Sequence, residues 1–167
     1  NGNACDISIP EIIRYWGNDD ETRVILLYVE SLDDPKYFMD VAYEVAAKFR
    51  AMGKVVIGGG KFASTFPDEV EPHFDSICVG EAHKVWAQMV NDLLAGKLKK
   101  RYDAGLVPDL ENIPAPRYDL VESGYFTPIV TEASRGCPHP CTYCQLNIKR
   151  APYRTRPVED VIRDLTN

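Results

Sequence analysis

Three short apolar runs, each followed by a helical pattern, constrain the fold of this 167-residue chain more than any other feature. The runs fall at residues 23–29, 54–57 and 76–79, and their apolar residues are consecutive rather than alternating. Consecutive β-prone residues indicate strands that are buried on both faces, as in a parallel sheet. Apolar residues recur at helical spacing in residues 35–52 and 81–94. Repeated β-then-α units of this kind predict an α/β fold with a doubly wound parallel sheet.

The pattern divides the chain into three predicted parts. Residues 1–96 hold the three β-then-α units, and residues 97–126 are rich in proline and lack a clear periodicity. We interpret this second part as a linker that packs along the surface. Residues 127–167 contain the end of a strand near 126–132, a cysteine-rich loop and a final helix near 157–165.

The charge balance and the absence of a long apolar run exclude several classes of protein. The chain has 19 basic and 25 acidic residues. Sequence-independent binding of nucleic acid needs clustered Lys and Arg to neutralise phosphates, so this charge balance argues against a general nucleic-acid-binding protein. No apolar run reaches about 18 residues, so we expect no transmembrane helix and no membrane partner. The first residues lack the basic-then-apolar pattern of a signal peptide. We therefore expect a cytoplasmic location.

The five cysteines are unevenly distributed along the chain. Cys5 and Cys78 stand alone, whereas Cys137, Cys141 and Cys144 have the spacing CxxxCxxC. A secreted disulfide framework normally has an even number of dispersed cysteines, so this grouping indicates a metal centre in a reducing compartment. Thiolates are soft, anionic donors, and three on one loop can bind three irons of a 4Fe–4S cluster. The fourth iron is then free to bind a substrate or cofactor.

Two other interpretations of the cysteine loop stay open at this point. The first is a chance grouping of three cysteines. The second is a zinc loop, which normally combines CxxC with another CxxC or with histidines. His139 is the available fourth ligand in that case, although its position between two prolines limits its reach.

The loop resembles the cluster motif of the radical S-adenosylmethionine (SAM) enzymes, in which an aromatic residue precedes the last cysteine, as Tyr143 does here. The resemblance implies that Cys137, Cys141 and Cys144 ligate a 4Fe–4S cluster and that Tyr143 lies near the adenine of SAM. It also implies reductive cleavage of SAM to methionine and a 5′-deoxyadenosyl radical. The implied partners are a small-molecule substrate and an electron donor such as flavodoxin or ferredoxin.

Only the first strand and helix of a radical SAM barrel have counterparts in this sequence. Residues 153–162 resemble the family's return into the first barrel helix, but the SAM-binding motif of the next strand is absent. We therefore expect residues 127–167 to form the start of an incomplete (β/α) barrel. We also expect this chain by itself not to turn over SAM at an enzymatic rate.

Upstream segments resemble the cobalamin-binding-domain subgroup of radical SAM proteins, from about residue 40 onward. The matching segments are Val55–Gly60, Pro67–Val70, Asp75, Gly80–Glu81 and Pro114–Arg117. The resemblance implies a flavodoxin-like domain before the barrel, with Gly58, Gly59 and Gly60 at the carboxyl end of a strand. Glycines there let the backbone approach a nucleotide-like or corrin ligand in the crevice of the sheet, and a plain tight turn is the other interpretation of these three glycines. Cobalamin is a candidate ligand, although the DxHxxG motif that ligates it through histidine is absent.

About 45 residues at the N-terminus resemble a different family, the succinyl-CoA-synthetase-like domain of ADP-forming acyl-CoA synthetases. The matching segments are Gly2–Asp6, Ile12–Trp16 and Asp20–Glu30. Residues 1–96 would then be one flavodoxin-like domain, with residues 1–48 of the synthetase type and residues 49–96 of the cobalamin-domain type. The chain is thus either a fusion of two fragments or a natural sequence that diverges here. A non-catalytic CoA- or nucleotide-binding module is the alternative function.

Overall fold

The structure is a computed structural model that describes residues 8–21, 25, 34–105, 109–118, 131–144 and 152–166. The predicted strand at 23–29 lies outside these residues except for Ile25. The predicted strand at 126–132 also lies outside them except for its last two residues. Within the described part of the chain, no helix is long and apolar enough to cross a membrane.

A parallel three-stranded sheet forms the centre of the described structure. Its strands are β1 (Ile57–Gly58), β2 (Ser76–Gly80) and β3 (Arg101–Gly105), and they lie in the order β1-β2-β3. Both pairings are parallel, with Ile57 opposite Ser76 and Cys78 opposite Tyr102. The arrangement confirms the predicted α/β class, which is consistent with a flavodoxin-like fold, and the predicted strand near 75–79. Of the strand predicted near 54–58, only Ile57 and Gly58 pair in the sheet.

Helices alternate with these strands along the chain, as predicted. Those before and within the sheet are α1 (Ile9–Asn18), α2 (Pro35–Ala51), α3 (Gly60–Thr65), α4 (Pro67–Val70) and α5 (Trp86–Leu94). The Ser8-x-x-Glu11 pattern predicts a capping box at the start of α1, because the two side chains can satisfy free backbone donors there. The structure confirms it, since the Glu11 carboxylate accepts from the backbone N–H of Ser8 at 2.7 Å.

One face of β2 packs against α3 and α4. Ile77 and Val79 point to this face and form an apolar core with Ala63 and Val70. All four side chains are buried, so this contact removes apolar surface from water and holds the two short helices on the sheet.

The other face of β2 packs against α5. Cys78 lies between Ile77 and Val79 and therefore points the opposite way, where it contacts Met89 and Tyr102. Cys78 is buried, as expected for a cysteine in an apolar strand. Burial raises the pKa of its thiol, and the negative charge of Asp103 raises it further. Helices thus cover both faces of the sheet.

Strand β3 lies inside the segment 97–126 that the sequence analysis interprets as a linker. Its residues alternate between exposed and buried, and Tyr102 is the buried member. The Tyr102 hydroxyl donates to Asp92 Oδ2 at 2.7 Å and accepts from the backbone N–H of Lys99 at 3.1 Å. The sequence does not indicate this strand, because charged residues in β3 interrupt the kind of continuous apolar run that marks β2.

A second, two-stranded antiparallel sheet follows. Strand β4 (Ser134–Arg135) pairs with β5 (Arg154–Thr155), with Ser134 opposite Thr155 and Arg135 opposite Arg154. Helix α6 (Val158–Thr166) comes directly after β5 and confirms the predicted final helix.

Candidate functional site

The three clustered cysteines lie on the connection between β4 and β5. This connection runs from residue 136 to 153, and the structure describes residues 136–144 and 152–153 of it. Gly136 has a φ of +83° and turns the chain from β4 into Cys137, a conformation that favours glycine. The backbone N–H of Cys144 donates to the carbonyl oxygen of Cys141 at 3.1 Å, which closes a tight turn between these two cysteines.

The donor chemistry of this loop suits an iron–sulfur cluster. Cys137, Cys141 and Cys144 are partly exposed and none of them forms a disulfide, so one segment carries three soft donors. Within the described residues, however, no three Cys, His, Asp or Glu side chains are gathered closely enough to hold a metal ion. The residues therefore fit the cluster by type and number, while the ligand geometry is not formed.

Tyr143 is the other residue of the loop that the sequence analysis identifies. Its side chain is 90% exposed and lies next to Cys144 in the chain. His139, the alternative zinc ligand, is also exposed.

The two ends of the cysteine loop carry arginines that share one carboxylate. Arg135 and Arg154 are paired across β4 and β5, and this is the pair from which the loop leaves. Glu81 follows the carboxyl end of β2 and accepts from both arginines, at 2.5 Å from Arg154 Nη2 and 3.2 Å from Arg135 Nη1. Glu81 therefore joins the parallel sheet to both ends of the loop.

Arg135 has further partners on either side of this contact. Its Nε donates to Glu132 Oε1 at 2.7 Å, and its Nη1 lies 3.1 Å from Nδ1 of His83. Burial lowers the pKa of His83, and the charge of Arg135 lowers it further. We therefore describe His83 as a neutral ring that accepts at Nδ1, which puts its proton on Nε2. That atom is buried and has no hydrogen-bond partner among the described residues.

These residues were interpreted differently from the sequence. The sequence predicts Glu81 to be either a ligand contact or a carboxylate that the dipole at a helix start favours, and it predicts His83 to be a solvated residue of the first turn. Both side chains are instead mostly buried in the arginine contacts described above. The sequence leaves Arg154 either as a solvated loop charge or as the partner of a carboxylate of SAM or of the barrel, and its side chain is buried. No local sequence signal marks these contacts, because their partners are 52 to 73 residues apart.

A buried ion pair joins Arg156, which precedes α6, to Asp164 near the end of that helix. Arg156 Nη1 and Asp164 Oδ2 lie 2.6 Å apart, and their side chains are only 2% and 1% exposed. Arg156 Nη1 also donates to the carbonyl oxygen of Glu132 at 3.0 Å. The sequence leaves Arg156 either as a solvated loop charge or as the partner of a carboxylate of SAM or of the predicted barrel segment, and its pairing with Asp164 on α6 excludes the solvated interpretation.

Two cavities of about 320 and 440 Å³ adjoin β5. Tyr153, Thr155 and Arg156 contribute to the linings of both cavities. Neither lining includes a cysteine, so these cavities are separate from the loop's thiols.

The three glycines after β1 have different structural roles. A Cβ at Gly58 would lie 3.0 Å from the ring of Phe74, and Gly60 has a φ of +88°. Packing and backbone conformation thus account for glycine at these two positions. Gly59 is exposed and extended, and a Cβ there would only reach ordinary contact distance, 3.8 Å from the carbonyl oxygen of Cys78. Its role as a ligand contact stays a prediction.

The Glu81 contacts predict a pH-dependent stability. Burial alone would raise the pKa of the Glu81 carboxyl, but the hydrogen bonds and charges of Arg154 and Arg135 outweigh it and hold the pKa below its usual range. The stabilisation is therefore complete above the ordinary glutamate pKa of about 4.3 and is lost as the pH falls through the folded-state value.

We expect denaturant unfolding to show that Glu81→Gln is less stable than the wild type at neutral pH, because a neutral amide interacts more weakly with the two arginines. The difference should shrink as the pH falls below about 4.3, because the carboxyl of the unfolded wild-type chain is protonated first and that of the folded chain only at a lower pH. A difference that stays constant over this range would contradict the prediction.

Comparison with known proteins gives two groups of matches. A family profile described as the succinyl-CoA ligase like flavodoxin domain matches residues 1–61. The alpha subunit of an ADP-forming acetate–CoA ligase from Pyrococcus furiosus is 40% identical over 47 residues, which are 28% of this chain and 10% of that protein. These matches support the predicted N-terminal resemblance and the flavodoxin-like class.

The second group consists of methyltransferases. Bacteriochlorophyllide d C-8(2)-methyltransferase of Chlorobaculum tepidum is 36% identical over 112 residues, which are 62% of this chain and 24% of that protein. An uncharacterized methyltransferase of Synechocystis is 34% identical over 119 residues, or 70% of this chain and 22% of that protein. The chain thus spans about a quarter of the length of these relatives. No solved structure matches the chain.

The chain is thus similar to methyltransferases, and this similarity supports the predicted relationship to radical SAM enzymes.

Proposed function

We propose that this chain is part of a radical SAM enzyme in which Cys137, Cys141 and Cys144 hold a 4Fe–4S cluster. The observation that carries the proposal is the position of three cysteines, none of them in a disulfide, on one connection whose two ends are paired as strands. Three thiolates leave one iron of such a cluster without a protein ligand, which is the position that SAM requires. The bound cluster would supply the electron that cleaves SAM to methionine and a 5′-deoxyadenosyl radical.

The proposal gives Tyr143 a role in binding SAM. The ring lies next to Cys144 in the chain and is almost fully exposed, so its faces are free to stack on a planar ligand such as adenine. The turn closed between Cys141 and Cys144 keeps this ring close to two of the proposed ligands.

Methyl transfer to a small molecule is the reaction that we propose for the whole protein. The support is the homology to methyltransferases, one of which is named for bacteriochlorophyllide d. An electron donor such as flavodoxin or ferredoxin would reduce the cluster. Cysteines that stay out of disulfides and serve as cluster ligands need a reducing compartment, so we propose the cytoplasm as the location.

Cobalamin at the carboxyl end of the parallel sheet is a further part of the proposal. Gly58, Gly59 and Gly60 lie there, and open α/β sheets bind ligands at this edge. Hydroxocobalamin should remain with the chain through gel filtration if it binds. Loss of all colour from the protein fraction would remove cobalamin from the proposal.

Anaerobic reconstitution with iron and sulfide tests the cluster directly. We expect about four irons per chain, the ratio that a 4Fe–4S cluster requires, and a spin-resonance signal after reduction that changes when SAM is added. Binding of one zinc and no iron would instead support a zinc loop. Retention of neither metal would contradict the proposed function.

A non-catalytic CoA- or nucleotide-binding module is the second candidate function. The match of residues 1–61 to the succinyl-CoA ligase like flavodoxin domain favours it. Titration calorimetry with CoA and with ADP separates the two candidates when it is combined with reconstitution. Tight nucleotide binding without cluster assembly would favour the module, whereas cluster assembly without nucleotide binding would favour the enzyme.

A further inference from the structure

We infer that Glu81 is a positioning residue that closes the root of the cysteine loop, an inference that rests on the proposed function because the loop is the proposed cluster site. The root is the pair Arg135 and Arg154, where β4 ends and β5 begins. Glu81 comes from the parallel sheet and not from the loop, so it ties together three segments that are far apart in the sequence.

The need for a carboxylate at this point follows from the register of β4 and β5. Paired residues of neighbouring strands point to the same face, so Arg135 and Arg154 place two positive charges side by side. Like charges directly opposite each other push strands apart. Each oxygen of Glu81 accepts from one of the two guanidinium groups, so a single carboxylate offsets this repulsion.

Burial makes this contact stronger than an ordinary surface ion pair. The Arg154 and Glu81 side chains are only 7% and 17% exposed, so water screens their charges weakly. Arg135 donates from Nε to Glu132, and its Nη1 contacts Glu81 and His83. The guanidinium of Arg135 is therefore held on several sides.

The position of Arg135 constrains Cys137, the first proposed ligand, because only one residue separates them. Gly136 separates Arg135 from Cys137, and its left-handed conformation sets the direction in which the chain leaves β4. Arg154 pairs with Arg135 and marks the other end of the loop. We expect Glu81 to restrict the two ends of the loop and so to favour the arrangement in which three thiols can meet at one cluster.

Hydrogen–deuterium exchange on the metal-free 167-residue chain tests the closure of the root. In Glu81→Gln, the backbone amides of residues 134–136 and 154–156 should exchange roughly ten-fold faster, the ratio expected for losing hydrogen bonds to a charged group. Glu71→Gln is the matched control, because the Glu71 carboxylate lies 2.5 Å from Arg101 in another part of the fold. That variant should leave exchange at β4 and β5 unchanged.

Chelator challenge of the reconstituted chain tests the positioning role. The Glu81→Gln protein should lose iron to the chelator about ten-fold faster than the wild type, as is typical when a residue that supports metal ligands is changed. Faster amide exchange with an unchanged rate of iron loss would reduce Glu81 to a purely structural role and overturn the inference. Unchanged exchange at both strands would also overturn it.

The two proposals fail in distinguishable ways. If the wild-type chain binds no cluster, the proposed function fails, while amide exchange still decides whether Glu81 closes the root. If Glu81→Gln does not fold by circular dichroism, Glu81→Asp replaces it, because a shorter carboxylate keeps the charge and lengthens the contacts. We then expect exchange at β4 and β5 to be faster than in the wild type, and an unchanged rate would contradict the inference.

Discussion

Replacing Cys137, Cys141 or Cys144 with alanine is expected to abolish the 4Fe–4S cluster in each case. The reason is the number of ligands: three thiolates hold three irons, and the fourth iron is reserved for SAM. A protein with only two of these cysteines has no further thiol on the described part of the loop to replace the missing one. Iron analysis and spin resonance of the reconstituted variants measure the loss.

Cys78→Ala provides the matched control for this experiment. Cys78 is buried between β2 and α5, where it contacts Met89 and Tyr102. Its replacement should lower stability slightly, because a small cavity forms, but should leave the iron content unchanged. A full cluster in Cys141→Ala, or a lost cluster in Cys78→Ala, would show that the proposed ligands are wrong.

Gly80→Ala is expected to have the largest effect on stability. Gly80 ends β2 with a φ of +90°, and a Cβ there would lie 2.5 Å from the backbone carbonyl oxygen of Gly105 on β3. A backbone atom in a strand cannot move aside as the end of a flexible side chain can. We expect the free energy of unfolding to fall by roughly 2–6 kcal/mol, combining about 1–3 for the backbone conformation and about 1–3 for the steric overlap.

Gly96→Ala separates these two contributions. Gly96 has a φ of +67°, but a Cβ there would meet no atom within 4 Å. Its replacement should therefore cost only the conformational part, about 1 kcal/mol. Urea unfolding of both variants provides the test. Equal losses in the two variants would contradict the close approach of Gly80 to Gly105.

Gly80 also matters for the site, since Glu81 is the next residue in the chain. The pairing of Gly80 with Gly105 includes an irregularity between Val79 and Gly80. The positive φ of Gly80 sets the direction in which the chain leaves β2, and Glu81, the next residue, contacts Arg135 and Arg154. The close packing of two glycines thus contributes to the placement of a carboxylate in the candidate site.

The amino-acid sequence determined those features that depend on neighbouring residues. Consecutive apolar residues predicted the buried strand β2, and helical periodicity predicted α2 and α5. The capping pattern predicted the start of α1, because the residues that make it are three positions apart. The spacing of the three cysteines identified the loop, although the gathering of their thiols was not observed.

Only the tertiary structure decided which distant residues meet. Strand β3 was hidden because its charged residues break the apolar run, and only its pairing with β2 identifies it as part of the sheet. The contacts of Glu81 with Arg135 and Arg154 span 54 and 73 residues, so no local pattern encodes them. Whether a charged residue is solvated or buried in an ion pair depends on what the packed chain brings opposite it. For that physical reason, the sequence located the cysteines and the fold alone revealed what holds the two ends of their loop.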